Sequence, residues 1–184
     1  DWITPRLNGV NYFEKPPLVY WAVAGFLRVF GPQELALRAV PALCALAGVL
    51  VVYGATRRLR GRTAGLAAAV VAGSSLLYLA LGRILLLDMT VSVLMSGTLF
   101  CFILGVREPA GWRRRAFFYG LYALTALATL AKGLIGFLLP GAVMFFWLLI
   151  FNQWQRLRPL HLPTGVLLFL TIAAPWHVLA AQRN

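Results

Sequence analysis

At 184 residues, with 61% hydrophobic side chains, 12% charged ones and a mean hydropathy of +0.80, the chain lies outside the usual soluble range and inside that of integral membrane proteins. A formal charge of +12 could suit a nucleic-acid binder, but ten of the seventeen basic residues fall in three short clusters. These are Arg57, Arg58, Arg60 and Arg62; Arg107 with Arg113 to Arg115; and Arg156 with Arg158. Such clusters beside apolar runs read as cytoplasmic loops under the positive-inside rule, and nucleic acid is set aside as a partner.

The expected class is all-α, a polytopic helical membrane protein. Residues 1–34 are expected as an extracytoplasmic loop with an interfacial helix. Within them, 16–30 is too short to cross the bilayer, and a full crossing would put the first arginine cluster outside. The segment is therefore read as a helix on the outer leaflet, started by Pro16 and Pro17, anchored by Tyr20 and Trp21, and ended by Phe30-Gly31-Pro32 before Glu34. About six crossings are expected over 35–181, at 35–57, 62–82, 89–106, 115–131, 133–151 and 162–181, each near the roughly 20 residues a helix needs. The Lys132-Gly133 pair is the natural turning point between the fourth and fifth. Cys44 and Cys101 lie inside apolar stretches, so neither a disulfide nor a thiolate metal site is expected. The start at Asp1 without an initiator Met, and the stop at Asn184 directly after an apolar segment, suggest a piece of a longer protein.

With the arginine clusters cytoplasmic, the opposite side receives residues 1–30, the Arg83 to Asp88 joint, the Lys132-Gly133 turn and the Arg183-Asn184 end. Nearly all the unusual charges thus gather on one face. Three blocks stand out there. In the first, Asn8-Gly9 supplies a turn and two prolines fix the backbone after Glu14-Lys15. Lys15 could face a phosphate oxygen, and Glu14 could hold a metal, a base or a neighbouring cation; alternatively both are interfacial charges that hold a surface helix. In the second, Asp88 follows three leucines at the mouth of a crossing, where a carboxylate needs a partner or a metal. A local ion pair or a helix cap is the plainer alternative, and a helical joint would leave Arg83 and Asp88 only loosely on one side. In the third, Lys132 can reach the headgroup layer and pair with a phosphate, or simply snorkel to the interface. His161 and His177 have no second histidine at ligand spacing, so no H-x-x-x-H zinc motif exists.

The run Trp2-Ile3-Thr4-Pro5-Arg6-Leu7-Asn8-Gly9, followed by Tyr12-Phe13-Glu14-Lys15-Pro16-Pro17-Leu18 and Tyr20-Trp21, closely resembles the first periplasmic loop of bacterial membrane glycosyltransferases of the aminoarabinose transferase and protein O-mannosyltransferase superfamily. Arg83 with Leu87-Asp88-Met89, Leu130-Ala131-Lys132-Gly133 with Gly136 and Pro140, and Ala174-Pro175-Trp176 before Arg183-Asn184 extend the resemblance along the whole chain. It implies a GT-C type transmembrane domain in the bacterial inner membrane, with its active face periplasmic. The implied donor is a sugar on a polyprenyl phosphate, 4-amino-4-deoxy-L-arabinose among the candidates, and the implied acceptor is lipid A, a glycan or a protein. By the same resemblance Lys15 and Lys132, with Arg83, would contact the donor phosphate, and Asp88 would belong to the catalytic cavity. Glu14 would be one ligand of a divalent metal, zinc in an aminoarabinose transferase. A principal acid would precede Asp1 and a metal-binding histidine would follow Asn184, so the chain by itself is expected to be inactive. Lys15-Pro16-Pro17 replaces the Lys-Pro-Ile of some lipid A enzymes, which favours the broad family over that one acceptor. A transporter or flippase would instead carry its charges near the midplane on broken helices, and a non-catalytic scaffold would tolerate charge swaps at Glu14 and Lys15.

Overall fold

The computed structural model describes residues 2–7, 9–155 and 160–183; Asp1, Asn8, Arg156, Arg158 and Asn184 lie outside the described residues. A two-residue ladder comes first, β1 (Arg6–Leu7) antiparallel to β2 (Val10–Asn11), with Gly9 at φ +83° in the expected turn. Helices follow: α1 Leu18–Phe30, α2 Glu34–Arg60, α3 Arg62–Ser74, α4 Leu76–Leu81, α5 Leu87–Arg107, α6 Trp112–Lys132, α7 Ile135–Ile150 and α8 Leu162–Arg183. The chain is a helical membrane domain, and the ladder is too short to alter that class.

Helices α2, α5 and α8, of 27, 21 and 22 residues, are long and apolar enough to cross a bilayer. The other expected crossings take different forms. Segment 115–131 is α6, which starts at Trp112 and so carries Arg113 to Arg115 in its first turns. Segment 133–151 becomes the 16 residues of α7. Segment 62–82 is divided at Ser75, which turns extended at ψ 126° and separates α3 from α4. The division turns Tyr78 inward, where its hydroxyl donates to Ala45 O of α2 at 2.7 Å. Polar side chains inside such a bundle need partners of this kind, because lipid offers none.

α6 is the central post. Its residues Ala128, Thr129, Leu130 and Ala131 are buried in succession, which a helix permits only when neighbours surround it. Those neighbours are α5, α8, α7 and the start of α1. Along the α5 side a buried hydroxyl set replaces apolar contact: Thr125 Oγ1 donates to Leu121 O at 2.7 Å and lies 3.4 Å from Thr98 Oγ1, which reaches Leu94 O at 3.0 Å. On the α8 side, Tyr122 donates to Leu160 O at 3.1 Å. On the α7 side the backbones meet at Gly136, where an added Cβ would lie 2.3 Å from the Ala128 carbonyl carbon and 2.4 Å from its oxygen. Backbone cannot yield as a side chain can, so only glycine fits.

Replacing Gly136 by Val therefore forces α7 off α6 and is expected to cost about 1–3 kcal/mol. Thermal unfolding in detergent checks this, with Gly54→Ala as the control because nothing lies within 4 Å of that position. An unchanged midpoint for Gly136→Val would mean that the two helices do not meet this closely.

Candidate active site

The first block is held before it reaches its charges. Tyr12 N donates to Pro5 O at 2.8 Å, closing the loop around the hairpin. Trp21 Nε1 donates to Trp2 O at 2.8 Å, and Trp176 Nε1 of α8 donates to Ile3 O at 3.0 Å, so two indoles pin the same stretch from α1 and α8. Pro16 and Pro17 are buried, and Pro17 caps α1 through a 2.8 Å bond from Trp21 N to its carbonyl. Glu14 and Lys15 thus sit on a rigid step between a tethered loop and a helix. Glu14 is exposed and accepts a 2.7 Å hydrogen bond from the Tyr12 hydroxyl. That bond to a carboxylate pushes the Tyr12 phenol above the usual tyrosine range. Lys15 is half-buried and forms no ion pair among the described residues.

The second and third blocks meet each other. Asp88 is in the first turn of α5 and Lys132 is the last residue of α6, and their side chains form an ion pair. α6 ends there because Gly133 adopts φ +78°, a left-handed backbone that frees the chain to turn into α7 while its N–H bonds to Thr129 O at 2.7 Å. Both charges suit their helix: a carboxylate at an N-terminus and an ammonium at a C-terminus are each favoured by the helix dipole. The pair remains about a third exposed at Lys132 and just under half at Asp88, so it is reachable from outside.

The first block lies against the same corner. A side-chain carbon placed on Gly133 would be 3.9 Å from Pro16 Cγ, which brings Lys15 and Lys132 to either side of one contact. Beneath it, Val19 of α1, Val40 of α2, Val91 of α5 and Ala131 of α6 form one buried cluster. Glu14, Lys15, Asp88 and Lys132 are therefore gathered at one end of the bundle. From the ion pair an open cleft of about 370 Å³ runs between α5 and α7, past Val91, Ser92, Met95, Ser96, Ile135 and Leu139.

Arg83 is not drawn into this pair. It is exposed, follows the turn after α4, and lines a separate cleft with Tyr78 and Gly82 against α2. The joint from Arg83 to Asp88 is not one helix either: a turn ends α4, and Leu86 is extended before α5 begins. The direct Asp88–Lys132 partnership, the Tyr12 bond to Glu14 and the two serines were not singled out from the sequence. Spacing held a signal for the serines, since Asp88, Ser92 and Ser96 recur every four residues in an otherwise apolar helix, which is one stripe of its surface.

Among the described residues no three His, Cys, Asp or Glu side chains come together as a metal site. His177 Nδ1 donates to Ala173 O at 2.7 Å with its ring edge-on to Trp176, and His161 stacks on Tyr119.

Comparison with known proteins agrees with this geometry. The crystal structure of ArnT from Cupriavidus metallidurans in the apo state superposes with a TM-score of 0.95 at 34% identity, covering 100% of this chain and 34% of that one. The same protein bound to undecaprenyl phosphate gives 0.90 at 35% identity, again covering 100% of this chain and 34% of that one. The undecaprenyl phosphate-alpha-4-amino-4-deoxy-L-arabinose arabinosyl transferase of Yersinia enterocolitica is 29% identical, covering 100% of this chain and 33% of its own length. The chain thus spans about a third of these relatives. Its three long apolar helices and its bacterial relatives make it a multi-pass inner-membrane protein. The model for dolichyl-phosphate-mannose-protein mannosyltransferases matches residues 14–178, beginning at the Glu14-Lys15 step and enclosing Asp88 and Lys132, and the chain belongs to that family.

Proposed function

We propose that this chain supplies part of the catalytic cavity of a membrane glycosyltransferase that moves a sugar from a polyprenyl-phosphate donor to a lipid A, glycan or protein acceptor on the periplasmic face. The observation that carries the reading is the convergence of Lys15 with the Asp88–Lys132 pair at one end of the bundle. Two lysines and two carboxylates at the membrane edge suit a substrate with an anionic phosphate, a group to be deprotonated and an apolar tail. The names of the relatives support the donor class, and 4-amino-4-deoxy-L-arabinose is the sugar they suggest.

In the reaction an acceptor hydroxyl or amine attacks the anomeric carbon, the bond from that carbon to the phosphate oxygen breaks, and the centre inverts. Negative charge grows on the departing phosphate, and Lys15 and Lys132 stabilise it there. A carboxylate beside the acceptor takes the proton released on attack, and Asp88 is the candidate for it among the described residues. Its resting bond to Lys132 fits this sequence: a phosphate that engages the ammonium competes with Asp88 and leaves the carboxylate freer to accept a proton. Arg83 is a further phosphate contact only if the donor extends toward the α4 turn. Glu14, on its rigid step, is proposed as one ligand of a divalent metal, zinc by resemblance. A transporter would need charges near mid-span, whereas Asp88 and Lys132 stand at helix ends and the break at Ser75 carries no charge.

In the full-length enzyme, Lys15→Ala and Lys132→Ala are each expected to lower turnover with lipid-linked sugar by roughly 10- to 100-fold while insertion is retained. Wild-type transfer rates in vitro for both variants would defeat the phosphate assignment. Asp88→Asn is expected to lower the rate by about 100-fold or more, as loss of a general base does. A double-mutant cycle on unfolding in detergent with Asp88→Asn and Lys132→Met should return a coupling of about 0.5–1 kcal/mol, modest because the pair is partly exposed. Zero coupling would mean that the two side chains do not hold each other in the resting protein.

A further inference from the structure

The opposite end of the bundle carries a second cleft that the transfer reaction does not use. α5 has 21 residues rising about 1.5 Å each, so Arg107 lies some 30 Å from Asp88 along the helix. There Arg58 of α2, Arg107 of α5 and Arg113 of α6 line one mostly polar cleft of about 370 Å³, together with Leu59, Leu104 and Glu108. Among the described residues none of the three guanidiniums forms an ion pair, with Glu108 or any other carboxylate. The cleft therefore holds three cations against one acid.

Two of the three are held by aromatic faces. The Arg58 guanidinium lies over the Phe117 ring at 5.1 Å, which fixes it across the α2–α6 junction. The Arg113 guanidinium lies over Trp112 at 5.7 Å, and that indole is 74% exposed, as an interfacial anchor would be. Cations fixed in this way have already lost much of the conformational freedom that binding would otherwise cost. Arg113 also stands in the first turn of α6, where the helix dipole disfavours positive charge and favours an anion beside it.

Arg107 belongs to two cavities at once. Besides the polar cleft it closes an apolar groove of about 300 Å³ between α5 and α7, whose walls include Phe102, Val106, Met144 and Trp147. A site for free phosphate needs no such groove. A polar cleft joined through one arginine to an apolar channel matches a molecule with an anionic head and a hydrocarbon tail.

We propose that this junction binds an anionic phospholipid of the surrounding bilayer, its phosphate held by Arg58, Arg107 and Arg113 and an acyl chain laid in the α5–α7 groove. The site lies at the arginine end and is independent of the donor site at the Asp88–Lys132 end. It goes beyond general attraction of basic loops to acidic lipid, because it assigns the effect to three of the arginines and to a channel.

The test uses full-length protein, delipidated in detergent and titrated with phosphatidylglycerol or phosphatidylcholine under native mass spectrometry. Wild-type protein should retain phosphatidylglycerol in preference to phosphatidylcholine, and Arg58→Gln/Arg107→Gln/Arg113→Gln should reduce that retention by roughly tenfold or more. Arg60→Gln/Arg62→Gln/Arg115→Gln removes the same charge from outside the cleft and should leave retention near wild type. Met144→Trp fills the groove without touching the arginines, so it should weaken phosphatidylglycerol retention even if the triple variant fails to fold. Equal losses in the two triple variants, no loss with Met144→Trp, or displacement of the lipid by millimolar inorganic phosphate would each overturn the proposal.

Discussion

The ion pair between Asp88 and Lys132 is the constraint from which the active corner follows. α5 and α6 are antiparallel neighbours, so the N-terminus of one stands beside the C-terminus of the other. Each charge is favoured by its own helix dipole, and each neutralises the other across the gap between the helices. A carboxylate or an ammonium alone at the edge of an apolar bundle would need water or another partner; as a pair they partner each other and stay partly open. The position of Lys132 is fixed in turn by Gly133, which ends α6 one residue later, and by the packing that leaves Ala128 to Ala131 no route to lipid. A cation emerges from the most enclosed helix of the domain at the place where the Glu14-Lys15 step arrives.

That arrival depends on tethers rather than on charge. No ion pair among the described residues joins Lys15 to the corner. Instead the indoles of Trp21 and Trp176 hold the backbone of Trp2 and Ile3, and Pro16 lies on the Gly133 turn. Apolar packing and neutral hydrogen bonds position the loop, and among the described residues Lys15 has no ion-pair partner. An ammonium positioned in this way is suited to an incoming anion.

Helix identity was legible in the sequence where composition alone decides it. Long apolar runs bounded by arginines gave α2, α5 and α8 nearly to their ends, and Gly31 and Gly133 marked stops that the backbone takes with positive φ. The break at Ser75 was not legible, because neither Ser74 nor Ser75 is a helix breaker, and the contact that accompanies it, Tyr78 with Ala45, joins residues more than thirty apart. The beginning of α6 shows the same limit. Arg113 to Arg115 read as loop when charge is the guide, yet the helix starts at Trp112, and the Arg113 and Arg114 guanidiniums lie over the Trp112 and Phe118 rings. At the site, charges in apolar surroundings marked Glu14, Lys15, Asp88 and Lys132 as unusual, but which of them touch is a property of helix adjacency. The pairing of Asp88 with Lys132 rather than with nearby Arg83 could not be read from separation along the chain.

The two ends of the α5–α6 pair handle charge in opposite ways. At the Asp88–Lys132 end the two helix termini carry opposite side-chain charges, each on the favoured side of its dipole, and the neighbouring Glu14 and Lys15 add one charge of each sign. At the other end Arg107 sits favourably at a C-terminus, but Arg113 to Arg115 crowd an N-terminus and Arg58 adds to them. No arrangement of these side chains neutralises that end, since the described residues there offer Glu108 alone and it pairs with none of them. An end with this surplus of cations is suited to water and to the anionic lipid proposed above. Its orientation in the bilayer follows from the same imbalance, because the end with surplus arginines is the one retained on the cytoplasmic side. By that rule the Asp88–Lys132 end lies opposite the arginine end, at the face where the proposed donor phosphate would meet Lys15.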